Sequence, residues 1–207
     1  MEFITEPRTI ETRSMEIIEG LIEGSWSPEE KAVVKRIVHT TGDPSIASLI
    51  KFHPGAMAAG MEAIRRGVRI LTDVNMVRVG INAGKLTKFG GEAICAINDP
   101  VVVARAKETG LTRAIESFRH LAPQMGGSIV AIGNAPTALL EVIRAYHEDP
   151  SRKPGLIVGV PVGFVGARES KELLVEEDIP YITIVGNRGG STIAVAAINA
   201  LLNLALG

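Results

Sequence analysis

Of the side chains in this 207-residue sequence, four histidines, His39, His53, His120 and His147, are the groups suited to moving protons near neutral pH. No two of them stand three or four residues apart, and no acid–histidine cluster has the spacing of a zinc site. His147 precedes Glu148-Asp149 at a helix end, His120 follows Arg119 in a charged stretch, and His53 precedes the helix start at Pro54. These three read as structural or surface groups. His39 differs. At about 100° per residue, Val33, Val34, Ile37 and Val38 form one apolar stripe, and His39 falls almost opposite it in the last turn. There the imidazole can face a cleft as a proton donor or simply cap the helix at the surface; a helix C-terminus favours a cation in either role.

Other catalytic patterns are missing. Gly-x-Ser-x-Gly does not occur, and Ser27, Ser128, Ser170 and Ser191 have no evident histidine–acid partners. Asp73 and Asp99 follow apolar runs, where an acid can position a ligand or cap a helix. The segment Gly186-Asn187-Arg188-Gly189-Gly190-Ser191-Thr192 lets backbone donors approach an anion beside a cation, or makes a tight turn. Its spacing fits neither the dinucleotide fingerprint nor the phosphate loop.

These residues must be held by elements that the chain spells out. The first third reads as helices: Ile10 to Leu21, a helix from the start signal Ser27-Pro28-Glu29-Glu30 to about His39, a short one after Asp43-Pro44, and one from Pro54 to Arg66. From Gly67 onward, short Val/Ile-rich runs alternate with helices. The runs are Val68 to Leu71, Ala93 to Ile97, Ile129 to Ile132, Leu156 to Val160 and Tyr181 to Val185. Continuous apolar strands separated by helices predict a parallel sheet covered on both faces. The fold class expected is α/β, a three-layer α/β/α arrangement with a five-stranded, mostly parallel, doubly wound sheet. One domain spans 1–207, with a helical N-terminal region over about 1–66 and an α/β core over about 67–207. The last helix, Ser191 to Leu204, is apolar nearly all round and belongs in the core or at a subunit interface.

In such a sheet ligands bind beyond the carboxyl ends of the strands. Those ends are Thr72-Asp73-Val74-Asn75, Asn98-Asp99-Pro100, Gly133 to Thr137, Pro161 to Gly166 and Gly186 to Ser191. Four carry polar groups and one is glycine-rich and apolar, which fits a wide site for a large ligand. A formal net charge of -1 without a basic tract argues against nucleic acid. The single Cys95 cannot form an internal disulfide and sits in an apolar run as an inert buried thiol. Met1 to Glu6 lacks a signal-peptide layout and no apolar run reaches a membrane-spanning length, so a cytoplasmic protein without a membrane partner is expected.

Several segments, in order, resemble the precorrin isomerase family (precorrin-8X methylmutase and cobalt-precorrin-8 methylmutase). They are Arg13-Ser14, Ile37 to Asp43, Ile70 to Val77, Ser128 to Leu139, Gly159 to Lys171 and Gly189-Gly190-Ser191. The most specific are Gly-Asn-Ala-Pro-Thr-Ala-Leu, residues 133–139, and Pro-Val-Gly-Phe-Val-Gly-Ala, residues 161–167. The resemblance implies migration of a methyl group from C11 to C12 of a tetrapyrrole-derived macrocycle, giving hydrogenobyrinate or cobyrinate, with no cofactor and no metal site. It makes His39 the acid that protonates the ring, and it implies a homodimer with the site near the subunit boundary, across which Arg13 can serve. Arg13, Arg113, Lys171 and Arg188 are then the expected partners of the ring's carboxylates, with Val162, Gly163, Phe164 and Val165 beneath the ring. Thr72, Asp73, Asn134 and Ser191 complete the expected binding set from neighbouring strand ends. In one departure from the family's usual Arg-x-x-Gly-Gly-Ser, the positive charge here is shifted to Arg188. Two rival readings are a non-catalytic tetrapyrrole carrier and a nucleotide-dependent oxidoreductase; the missing glycine fingerprint opposes the second.

Overall fold

A computed structural model describes residues 5–207. The N-terminal stretch read above for a signal layout lies mostly outside the described residues, which begin at Thr5. Six strands are present among them: β1 Ile50–Phe52, β2 Ile70–Thr72, β3 Ala93–Ile94, β4 Ile129–Ile132, β5 Leu156–Gly159 and β6 Tyr181–Ile184. They form one sheet in the order β1-β6-β5-β4-β2-β3. The five expected runs are β2 to β6, and every pairing among them is parallel. The expected five-stranded sheet is corrected to six. Strand β1 comes from the region read as wholly helical and lies antiparallel on β6, with Ile50 opposite Ile184. Its three residues place only Ile50 fully inside, so it carries no continuous apolar run to mark it.

The helices are α1 Pro7–Glu19, α2 Pro28–Thr41, α3 Ala56–Arg65, α4 Asn75–Gly80, α5 Ala83–Leu86, α6 Pro100–Thr109, α7 Arg113–Leu121, α8 Pro136–Glu148, α9 Ala167–Glu176 and α10 Ser191–Leu206. Two cores flank the sheet because successive strand side chains point to opposite faces. On β4, Ile129 and Ala131 enter the core with α2, α3, α4 and α10, whereas Val130 and Ile132 enter the core with α6, α7, α8 and α9. Each fully buried Val, Leu or Ile contributes about 1.5–3 kcal/mol relative to exposure. Helix α10 is central to the first core, with Ile193, Ala197, Ile198 and Leu201 inaccessible or nearly so.

Helix α2 is fixed at both ends. At its start the Ser27 hydroxyl accepts from Glu30 N at 3.2 Å and the Glu30 carboxylate accepts from Ser27 N at 2.8 Å, a reciprocal cap. At its end Gly42 adopts a left-handed conformation and donates to Val38 O at 2.9 Å, which stops the helix two residues after His39. Val33, Val34, Ile37 and Val38 are buried, so His39 is left on the outer side.

Candidate functional site

Strand order reverses between β2 and β4. From β2 the chain adds β3 on one side, then crosses to place β4 on the other. Such a switch point opens a crevice at the carboxyl ends. Asp73, the residue after β2, is completely buried there, and its carboxylate accepts from Gly133 N at 3.2 Å, Asn134 N at 2.7 Å and Ala135 N at 2.8 Å. Burial pushes this carboxyl above its ordinary value, while the three backbone donors pull it back. Thr72 is equally buried and donates to Ile94 O at 3.0 Å. Both residues therefore brace strand ends. Asn134 has its backbone in this clamp and is exposed. Gly133 lies so close to the start of α10 that a Cβ would stand 2.6 Å from Ser191 Cα, so the clamp also sets the position of Ser191.

The loops after β5 and β6 are clasped to one another. Gly190 N donates to Val160 O at 2.8 Å and Gly163 N to Asn187 O at 3.1 Å. Lys171, on α9, is only 1% exposed and donates from Nζ to Arg188 O at 2.6 Å. Burial pushes its ammonium down to about 8. The Arg188 guanidinium turns the other way and donates to Asp43 Oδ2 at 2.6 Å and Ser45 Oγ at 2.9 Å. Above this clasp Phe164 and Val165 are each 90% exposed, and Val162 is also exposed.

A cleft of about 450 Å³ runs beside α10. Its walls are Arg36 and Thr40 from α2, Met76 from α4, Lys85 from α5, and Ser191 and Asn199 from α10. Asn199 fixes the α4–α5 connection, accepting from Asn82 N at 2.8 Å and donating to Gly80 O at 3.0 Å. The Lys85 ammonium donates to Asn203, one turn further along α10. Arg36 pairs with Glu11 at 2.6 Å. That hydrogen bond and its charge hold the Glu11 carboxyl below its ordinary value, with His39 and Lys85 adding in the same direction. His39 is not itself part of the wall. It is exposed on the same turn as Arg36 and Thr40, which are.

The structure thus brings His39, Ser191 and Arg188 to one end of the molecule, with Lys171 behind them. Within a single chain it does not bring Arg13 or Arg113 there. Arg13 is exposed and paired with Glu16 at 3.2 Å, in a separate groove along α1. Arg113 is exposed at the start of α7, on the opposite side of the sheet, and donates to Asn98 Oδ1 at 3.2 Å. Arg36, Lys85, Asn199 and Asn203 escaped the sequence reading. A signal for two of them was available, since Asn199 and Asn203 stand four apart in an otherwise apolar helix and so share a face. His147 pairs with Glu177 at 2.7 Å, as a surface histidine does. Cys95 is half-buried, and burial pushes its thiol up. Among the described residues no group of three or more His, Cys, Asp or Glu is placed to hold a metal ion, and no helix is long and apolar enough to cross a membrane.

Comparison with known proteins adds a consistent set of likenesses. The family model for precorrin-8X methylmutase matches residues 9–204. A cobalt-precorrin-8 methylmutase of Priestia megaterium is 45% identical, over 99% of this chain and 94% of the relative. A precorrin-8X methylmutase of Pseudomonas aeruginosa is 39% identical, over 97% of each chain. The crystal structure of a precorrin-8X methylmutase from Thermus thermophilus superposes with a TM-score of 0.89 at 39% identity, covering 96% of this chain and 98% of that one.

Proposed function

This chain belongs to the precorrin-8X methylmutase family, and from that premise we propose that it moves a methyl group from C11 to C12 of precorrin-8X or cobalt-precorrin-8, with His39 as the proton donor. The reaction is an isomerisation: the bond from the methyl to C11 breaks, the bond to C12 forms, and no atom is gained or lost. A conjugated ring undergoing such a shift needs the right tautomer more than it needs a nucleophile. An imidazolium that lends a proton selects that tautomer, and the proton is returned when the product leaves. Proton transfer by a positioned acid contributes about 10²–10⁴-fold.

The observation that carries this reading is the exposure of His39 on the turn of α2 whose neighbours, Arg36 and Thr40, wall the cleft. At that point the imidazole meets the negative end of the helix dipole. Arg36 and Lys85 supply cations for the ring's carboxylate arms, and Asn199 and Ser191 add neutral donors at the same wall. Drug-sized ligands fill pockets of about 300–1,000 Å³. A macrocycle with its arms is larger, so the cleft of about 450 Å³ holds part of it and leaves the rest to be covered.

That cover is proposed to be a second copy of the chain. Met76 and Val79 on α4 are 64% and 67% exposed beside the cleft, and Phe164 and Val165 stand free at the same edge of the sheet. Burying them in a homodimer removes apolar surface that a monomer leaves in water. Sedimentation equilibrium is expected to give a dimer, and a monomer that turns over fully would remove this part. The lone free thiol Cys95 accords with a cytoplasmic setting.

Replacing His39 with Ala tests the acid. Turnover followed by the absorption change of the ring is expected to fall about 10²–10⁴-fold. Product titration should still show binding within a few-fold of wild type. A His39→Ala variant that converts substrate at the wild-type rate would end the general-acid role, and wild-type protein that binds the ring without converting it would make the chain a carrier instead.

A further inference from the structure

A buried ammonium normally has a carboxylate beside it, because a lone charge loses its hydration without compensation. Lys171 has no salt bridge among the described residues; its one recorded partner is a neutral carbonyl, Arg188 O. That carbonyl belongs to the loop 186–190, which is pressed against the end of β5 so tightly that a Cβ on Gly189 would stand 2.3 Å from Val160 O. Asn187 O, the preceding carbonyl, is taken by Gly163 N at 3.1 Å. Both carbonyls are thus fixed from beneath, and the Arg188 side chain is sent outward to Asp43 and Ser45. Asp43 is the joint at the end of α2. Its Oδ1 accepts from Ser45 N at 3.0 Å, which starts the turn 44–49, and it stands four residues after His39.

We infer that Lys171 is a positioning residue that acts through Arg188 and Asp43 to hold the His39 end of α2 in register with the cleft, rather than a group that touches the ring's carboxylates. The brace runs from α9 through the loop 186–190 to the end of α2. Its catalytic consequence rests on the proposed role of His39; its mechanical part does not. A lysine suits the task because its flexible stem reaches the loop from inside the protein while its head supplies strong donors. Removing the head leaves Arg188 O without its donor, and the guanidinium then leaves from a looser base.

The test uses the full-length protein and three variants, Lys171→Met, Arg188→Met and the double variant. Amide hydrogen exchange reads the brace without any turnover. Lys171→Met and Arg188→Met are each expected to speed exchange at Gly42 and Ser45 about tenfold or more, with the sheet amides unchanged. In single-turnover assays on the precorrin substrate, each single variant is expected to slow conversion about 10- to 100-fold, with affinity for the product within about threefold. The double variant should be no slower than Arg188→Met alone, because two links of one brace do not add. Losses that multiply, or a Lys171→Met variant whose chief defect is product affinity, would make Lys171 a substrate contact and overturn the inference. Should Lys171→Met fail to fold, the exposed Arg188→Met decides alone: unchanged exchange at Gly42 and Ser45 removes the brace. Failure of the acid role appears separately, as conversion by His39→Ala, and leaves the exchange result standing.

Discussion

Asp73 and Lys171 are both buried charges at the carboxyl edge of the sheet, and they secure their loops in opposite ways. Asp73 takes three backbone donors, the N–H groups of Gly133, Asn134 and Ala135, and fixes the entry to α8. Lys171 gives one recorded bond to one carbonyl and supports a loop pair that ends in the uncovered side chains of Phe164 and Val165. Three donors return part of the hydration that the Asp73 carboxylate loses, although burial still holds it above its ordinary value, and they tie residues 133–135 to the end of β2. The bond from Lys171 to Arg188 O does not replace the hydration that the ammonium loses, and burial pushes it down to about 8. The two sides of the crevice therefore differ in how they are held. One is closed by hydrogen bonds within the chain, and the other ends in exposed apolar side chains.

The contrast can be broken first at Asp73. Asp73→Ala strands three backbone donors, one buried and two partly buried, and is expected to cost about 3–4 kcal/mol in urea unfolding; a loss below about 1 kcal/mol would show that the clamp is not what secures the loop. Gly133→Ala comes next. Its Cβ meets the backbone of Ser191 and Gly190, which cannot swing aside, and about 2–3 kcal/mol is the expected loss. Lys171→Met should change stability at pH 7 by about 1 kcal/mol or less, since the lost bond offsets the relief of an uncompensated charge. Its signature lies in the pH dependence. The folded ammonium releases its proton near 8 and the unfolded one near its ordinary 10.5, so across that window the unfolded chain holds more protons and wild-type stability rises with pH. The Met variant should lack that rise, and a rise of equal size would assign it to another group. The smallest effect on folding belongs to Phe164→Ala, within about 0.5 kcal/mol for so exposed a side chain. The same change should weaken ring binding or dimerisation about tenfold, and full retention of both would leave Phe164 outside the site.

How much of this the sequence reveals follows from how local each signal is. The five parallel strands are legible because a sheet covered on both faces demands unbroken Val/Ile runs, and the Ser27–Glu30 cap announces α2 from its own residues. Strand β1 is not, because Ile50-Lys51-Phe52 is short and its exposed Lys51 interrupts the apolar pattern. At the site, the orientation of His39 can be read because helical periodicity alone fixes it. The task of Asp73 cannot, since its partners lie some sixty positions along the chain and meet it only after β2 and β4 pair. Positive charge is the least legible feature. Arg36 and Lys85 carry no local mark that sets them apart from the other cations of the chain, and only the packing of α2, α4, α5 and α10 brings them to one cleft.

The short antiparallel pairing of β1 with β6 also shapes how the molecule comes together. It joins position 50 to position 184, one of the longest-range contacts of the sheet. Closing so long a loop costs chain entropy ahead of any contact it wins, which slows acquisition of the native topology. Until that seam shuts, the edge of β6 stays open to strands of other chains, and crowded refolding mixtures are where aggregation should begin.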